Sequence, residues 1–88
     1  MFRMTVTDVF AIRGRGAVAT GQVESGEVRV GDTVQVNNGP VVTVDGIEIS
    51  RKRVDMATIG DTVGLLFSAV TDGHLVAGDL ITSAGARG

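Results

Sequence analysis

Apolar and polar residues alternate from the start of the chain. Phe2, Met4 and Val6 fall on one face of an extended run and Arg3, Thr5 and Thr7 on the other, the period of two expected of a half-buried strand. The run continues to Ile12, but Val9 and Phe10 break the alternation, which predicts a β-bulge or a bend. Gly14-Arg15-Gly16 marks a turn, and strands are expected over residues 17–23, 28–30 and 33–36. Asn37-Asn38-Gly39-Pro40 is the strongest hairpin signal, because Asn-Gly accepts paired positive φ values. Residues 41–49 read as one strand, with Val42 and Val44 alternating against Thr43 and Asp45. Residues 50–56 are the least apolar stretch, residues 62–67 are apolar enough for burial on both faces, and residues 75–81 contain the last strand. No segment of helical length carries a 3.6-residue period, so helix is expected to be minor.

One element recurs. Val30-Gly31-Asp32-Thr33-Val34, Ile59-Gly60-Asp61-Thr62-Val63 and Ala77-Gly78-Asp79-Leu80-Ile81 share an apolar-Gly-Asp-x-apolar pattern at unequal spacings, which excludes a solenoid period. Glycine can turn the chain through a left-handed conformation, and the aspartate carboxylate can then accept a nearby backbone N–H before the strand begins. A metal-ligand role for these aspartates is the competing reading.

Composition narrows the fold class. The hydrophobic 43% is mostly valine, isoleucine, leucine and alanine, the three aromatics are all phenylalanine, and 13 glycines stand against one proline. Branched side chains suit a pleated surface and glycine suits tight turns. The chain therefore reads as all-β, one domain over residues 1–83 with a flexible C-terminal tail at 84–88. Without cysteine it has neither disulfides nor thiolate metal sites. A net charge of −2 does not draw the whole molecule to a polyanion, so any nucleic-acid contact has to come from a local basic patch. No apolar run approaches the roughly 20 residues that span a bilayer, and the N-terminus has no hydrophobic signal core. A soluble, cytoplasmic protein is expected.

Little catalytic chemistry is present. Gly14-Arg15-Gly16-Ala17-Val18-Ala19 fits G-x-G-x-x-A, but that motif binds a dinucleotide only where it opens a helix. Here Thr20-Gly21-Gln22-Val23 continues as strand, so the glycines are read as shaping a β-turn. There is no phosphate-binding P-loop, and Lys52 is the only lysine. His74, the lone histidine, falls in an expected loop and has no cysteine partners. The chain is not expected to be an enzyme or to need a cofactor. The basic feature is Arg51-Lys52-Arg53, with Arg13 and Arg15 as further contributors. Strand alternation would put Arg51 and Arg53 on one face and Lys52 on the other. This strip reads either as a solvated edge that discourages strand-to-strand aggregation or as an RNA phosphate contact.

Five ordered blocks carry a resemblance. Asp8-Val9-Phe10-x-Ile12-x-Gly14-Arg15-Gly16-x-Val18-x-Thr20-Gly21-x-Val23-Glu24-x-Gly26 comes first, followed by Val30-Gly31-Asp32-x-Val34 and Gly46-Ile47-Glu48-Ile49-Ser50-Arg51-Lys52. Gly60-Asp61-x-Val63-Gly64-Leu65-Leu66 and Val76-Ala77-Gly78-Asp79-Leu80 complete the series. Together they resemble the second domain of elongation factor Tu and other translational GTPases over nearly the whole chain. The resemblance implies a small closed six-stranded Greek-key β-barrel that binds without catalysing, its GTPase domain being absent. It implies contact with the 3′ end of tRNA, with rRNA, or with a translational GTPase or ribosomal protein. Neither membrane nor DNA is an expected partner, and the barrel is expected to be a monomer. Carried over by position, Ile12, Val18 and Leu66 would sandwich the terminal adenosine, Glu48 would accept a hydrogen bond from it, and Arg51 and Lys52 would form the adjoining basic pair. Ile12, Val18 and Leu66 are equally the residue types of a barrel core, whereas a carboxylate such as Glu48 in an apolar setting needs a partner. A stand-alone barrel that holds another protein and has lost RNA binding is the alternative.

Overall fold

The computed structural model describes residues 1–12, 14, 16–68 and 75–84. Within them the chain forms ten strands and no helix: β1 (Arg3–Ile12), β2 (Gly16–Ser25), β3 (Glu27–Arg29), β4 (Thr33–Val36), β5 (Val41–Thr43), β6 (Gly46–Ile49), β7 (Lys52–Val54), β8 (Met56–Thr58), β9 (Thr62–Phe67) and β10 (Leu80–Ser83). Eight make one antiparallel sheet in the order β5-β4-β10-β1-β2-β9-β6-β7, and β3 and β8 pair as a separate ribbon. Side chains from opposite ends of that order, Val34 of β4 and Ile47 of β6, join the same fully buried cluster as Met4, Leu65, Phe67 and Ile81. A sheet whose far strands share one core has to curl, and the barrel-type, all-β expectation is met.

The curl follows from strict alternation. In β2 Ala17, Ala19, Gly21 and Val23 point inward, and in β9 Val63, Leu65 and Phe67 do. Their neighbours Val18, Gly64 and Leu66 are only half-buried, so residues 62–67 have one buried face rather than the two their apolarity suggested. Partner side chains, not composition, decide that.

A bulge in β1 resets the alternation. The register passes from Val6 opposite Gly21 to Asp8 opposite Thr20, leaving Thr7 as the extra residue. Thr7 fixes the kink by donating its hydroxyl to the Thr20 carbonyl at 3.1 Å. Before the bulge the even-numbered Met4 and Val6 are core; after it Phe10 and Ile12 face outward. The bulge therefore lies two residues ahead of the break seen at Val9-Phe10.

The continuous strand expected over residues 41–49 is two strands. β5 pairs with β4, while β6 pairs with β9 and β7. At the break the Val44 amide donates to Asp32 O at 2.9 Å and the Asp45 amide to Leu66 O at 2.8 Å, so the chain changes partners there. Val44 stays buried throughout, and the alternation alone could not reveal the change. In the preceding hairpin the positive φ values fall on Asn37 (52°) and Asn38 (62°), one residue earlier than Asn-Gly suggests. Asn37 is held there because its side chain accepts from the Leu80 amide at 2.8 Å and donates to Asp79 at 2.9 Å. Toward the C-terminus, Ser83 belongs to β10 and the Ala84 amide donates to Thr33 O at 3.3 Å, while residues 85–88 of the expected tail lie outside the described residues.

The three Gly-Asp elements are one turn built three times. The amides of Asp32, Asp61 and Asp79 donate to the carbonyls of Arg29, Thr58 and Val76, and their carboxylates accept from the amides of those same residues at 2.9 Å each. Gly31, Gly60 and Gly78 sit between at φ 96°, 92° and 97°, with open space where a Cβ would stand. Backbone conformation, not room, is what demands glycine. The carboxylates are thus committed to backbone amides. Asp32→Ala and Asp61→Ala are each expected to cost about 1 kcal/mol. Asp79→Ala is expected to cost about 2 kcal/mol, because Asp79 also holds Asn37 at the end of the neighbouring strand. Urea midpoints of the three variants test this order, and equal losses would refute the added role of Asp79.

Candidate functional site

Four strands bring outward residues into register. Phe10 lies opposite Val18, Val18 opposite Leu66 and Leu66 opposite Gly46, forming one cross-strand row over β1, β2, β9 and β6. The adjacent row runs Asp8, Thr20, Gly64, Glu48 and Arg53 and extends onto β7. Between the rows lies a pocket of about 50 Å³, lined by Ile12, Val18, Glu48, Arg53, Gly64 and Leu66. On this measure it admits only a few waters, so a larger ligand would lie across its mouth.

All four residues expected around an adenosine line this one pocket. None of Ile12, Val18 and Leu66 is in the core: Ile12 is 37% exposed and the other two are half-buried. The barrel-core reading of these three fails, because the bulge turns Ile12 outward and alternation turns Val18 and Leu66 outward. Glu48 is not stranded in an apolar setting either. Its side chain is 51% exposed and its Oε2 accepts from Nε of Arg53 at 3.4 Å. At that length and exposure the pair contributes little to stability; its effect is to hold two pocket groups in place.

Arg51 and Lys52 do not line the pocket. Ile49 pairs with Lys52, so Ser50 and Arg51 are the two residues of a tight turn, at φ 52° and 69°. Such a pair of left-handed residues matches strand twist but is seldom built without glycine or asparagine. The turn displaces Arg51 from the face it was expected to share with Arg53. It leaves Arg51 and Lys52 exposed at the hairpin tip and puts Arg53 opposite Glu48. Arg13, Arg15 and His74 lie outside the described residues.

Gly64 is a lining residue that sequence reasoning missed, and Arg53, read as part of the basic strip, was not placed in the pocket. Placing the two-residue turn at Ser50-Arg51 would have paired Glu48 with Arg53 directly, and β9 alternation places Gly64 beside Leu66. A Cβ on Gly64 would come 3.1 Å from Val18 Cγ1, so the bare glycine keeps the pocket floor open. Away from the pocket, Glu24 is drawn below the ordinary carboxylate range, first by a hydrogen bond from Thr5 and then by Arg3, whose Nε lies 3.1 Å away. Among the described residues no cluster of His, Asp or Glu is arranged to hold a metal ion. Among the same residues no helix is long and apolar enough to cross a membrane.

Residues 16–82 match the family model of elongation factor Tu domain 2. Among solved structures, the translation elongation factor SelB from Methanococcus maripaludis, in its apo form, is 31% identical with a TM-score of 0.87, covering 98% of this chain and 19% of that one. A bacterial selenocysteine-specific elongation factor, EF-Sec, is 28% identical with a TM-score of 0.85, covering 94% of this chain and 14% of that one. The chain thus spans less than a fifth of the length of either protein.

Proposed function

The chain belongs to the elongation factor Tu domain 2 family, and on that footing we propose that it is a non-catalytic binding module that holds RNA, the 3′ end of a tRNA in particular. One observation carries this reading. Ile12, Val18, Leu66 and Glu48 come from four strands, yet they converge on one outward pocket instead of dispersing into the core. The three apolar side chains suit a face of a base, and a carboxylate suits its exocyclic or ribose donors. The exposed Arg51 and Lys52 stand on the adjoining hairpin tip, where they can meet the backbone phosphates that such an end carries.

The reading is tested by titrating the ¹⁵N-labelled chain with aminoacylated and with uncharged tRNA. Amide shifts are expected to concentrate at Ile12, Val18, Glu48, Arg51 and Leu66. Glu48→Gln is expected to weaken binding about tenfold through the lost charge-assisted acceptor. Its thermal midpoint should stay near the wild-type value, since Glu48 is half exposed. An absence of shifts at millimolar concentration would sink the proposal and favour a barrel that holds protein instead.

A further inference from the structure

The RNA reading leaves Arg53 without a role, although it is the only cation lining the pocket among the described residues. Two neighbours hold its guanidinium. Glu48 accepts from Nε, and the Cζ and one terminal nitrogen lie 3.5 and 3.2 Å from where a Cβ on Gly46 would stand. The group therefore rests over bare backbone, in space that any side chain at position 46 would contest. The Arg53 side chain is nonetheless 66% exposed, so part of it remains open to a ligand. Across the pocket stand the apolar side chains of Ile12, Val18 and Leu66.

We infer that Arg53 is the stacking platform of this pocket and selects an uncharged planar ring, a nucleobase, rather than a phosphate. The inference rests on the RNA reading and divides its labour: the base goes to Arg53, the phosphates to Arg51 and Lys52. Charge decides between the two ligand groups. Glu48 and Arg53 together carry no net charge, so a phosphate brought to Arg53 meets the Glu48 carboxylate as well and gains little. A neutral ring meets no such opposition. The guanidinium is planar and weakly hydrated, so it stacks on a π-face at small desolvation cost. The bond to Glu48 favours one placement of the guanidinium, which lowers the ordering cost of binding.

The test is a titration of the 88-residue chain with adenosine, and with a short single-stranded RNA ending in adenosine, at two salt concentrations. Wild type is compared with Arg53→Ala, Arg53→Lys, Gly46→Ala and an Arg51→Ala/Lys52→Ala double variant, and each NMR spectrum first confirms a folded chain. Arg53→Ala and Arg53→Lys are both expected to weaken adenosine binding, the alanine roughly tenfold. Gly46→Ala keeps the charge but puts a methyl group against the guanidinium, and should weaken adenosine in the same direction. The double variant is expected to leave adenosine unchanged and to reduce the salt slope of RNA binding by about one for each phosphate it no longer neutralises. Adenosine affinity that is undiminished in Arg53→Ala, or equal to wild type in Arg53→Lys, overturns the stacking role. If wild type binds RNA but Arg53 variants change only its salt slope, this inference alone fails. If wild type binds neither ligand, the RNA reading fails and takes this inference with it.

Discussion

Gly16→Ala is expected to lower stability by about 3 kcal/mol or more, a large share of what a domain of this size has. Two requirements meet at this residue. Its φ is 98°, a conformation that side chains rarely adopt, and a Cβ would overlap the Phe67 carbonyl oxygen and lie 2.7 Å from the Ser68 Cα. Both obstacles are backbone, so no side-chain rotation relieves them. Ala17 pairs with Phe67 in the β2–β9 ladder, and the methyl group fits only if those strands part at the centre of the sheet. Gly14 is the control: its φ is 73° but nothing lies within 4 Å of a Cβ there, so Gly14→Ala should cost only about 1 kcal/mol of backbone strain. Circular dichroism through a urea series separates the two variants. Equal midpoints would mean that close approach of β9 does not restrict Gly16.

Phe67→Ala is expected to cost about 3–5 kcal/mol, the range for removing a fully buried ring and leaving a cavity. Phe67 is completely buried within the cluster that includes Met4, Ile47, Leu65 and Ile81. A domain of this size has roughly 5–10 kcal/mol of stability in all, so the loss is a large share. At about 4–8 °C per kcal/mol for domains of this length, calorimetry should find the thermal midpoint lowered by more than about 12 °C. Phe10→Ala is the contrast, because Phe10 is 57% exposed and its loss should stay within about 0.5 kcal/mol. A comparable drop for Phe10→Ala would mean that β1 buries Phe10 and that the bulge at Thr7 is misplaced. The same comparison therefore tests the pocket, because Ile12 faces outward by the same shift of phase.

Much of the fold was legible locally. Alternation predicted β1, β2, β4 and β9 to within two residues at each end. The aspartates of the repeated Gly-Asp element were read as turn acceptors, and all three are. Gly14 and Gly16 were assigned to a turn rather than to a nucleotide, and both have positive φ, Gly14 just before β2 and Gly16 as its first residue. These features depend on a residue and its immediate neighbours, which is the information a linear reading contains. The pocket residues were named through family resemblance; by residue type alone Ile12, Val18 and Leu66 were indistinguishable from core.

Sequence by itself determined the all-β class, the turn chemistry and the one-in, one-out rhythm of the strands. Each of these follows from local sterics and from hydrogen bonds within a few residues. Tertiary structure alone decided which face of each strand became core. One extra residue at Thr7 moves Phe10 and Ile12 from the inner face to the outer, because in a pleat of period two a single insertion inverts everything that follows. It likewise decided that residues 41–49 break at Val44 to serve different neighbours. Outside the hairpins, pairing partners lie far apart along the chain, as Val36 and Ile81 do, and no local pattern encodes which strand will arrive alongside.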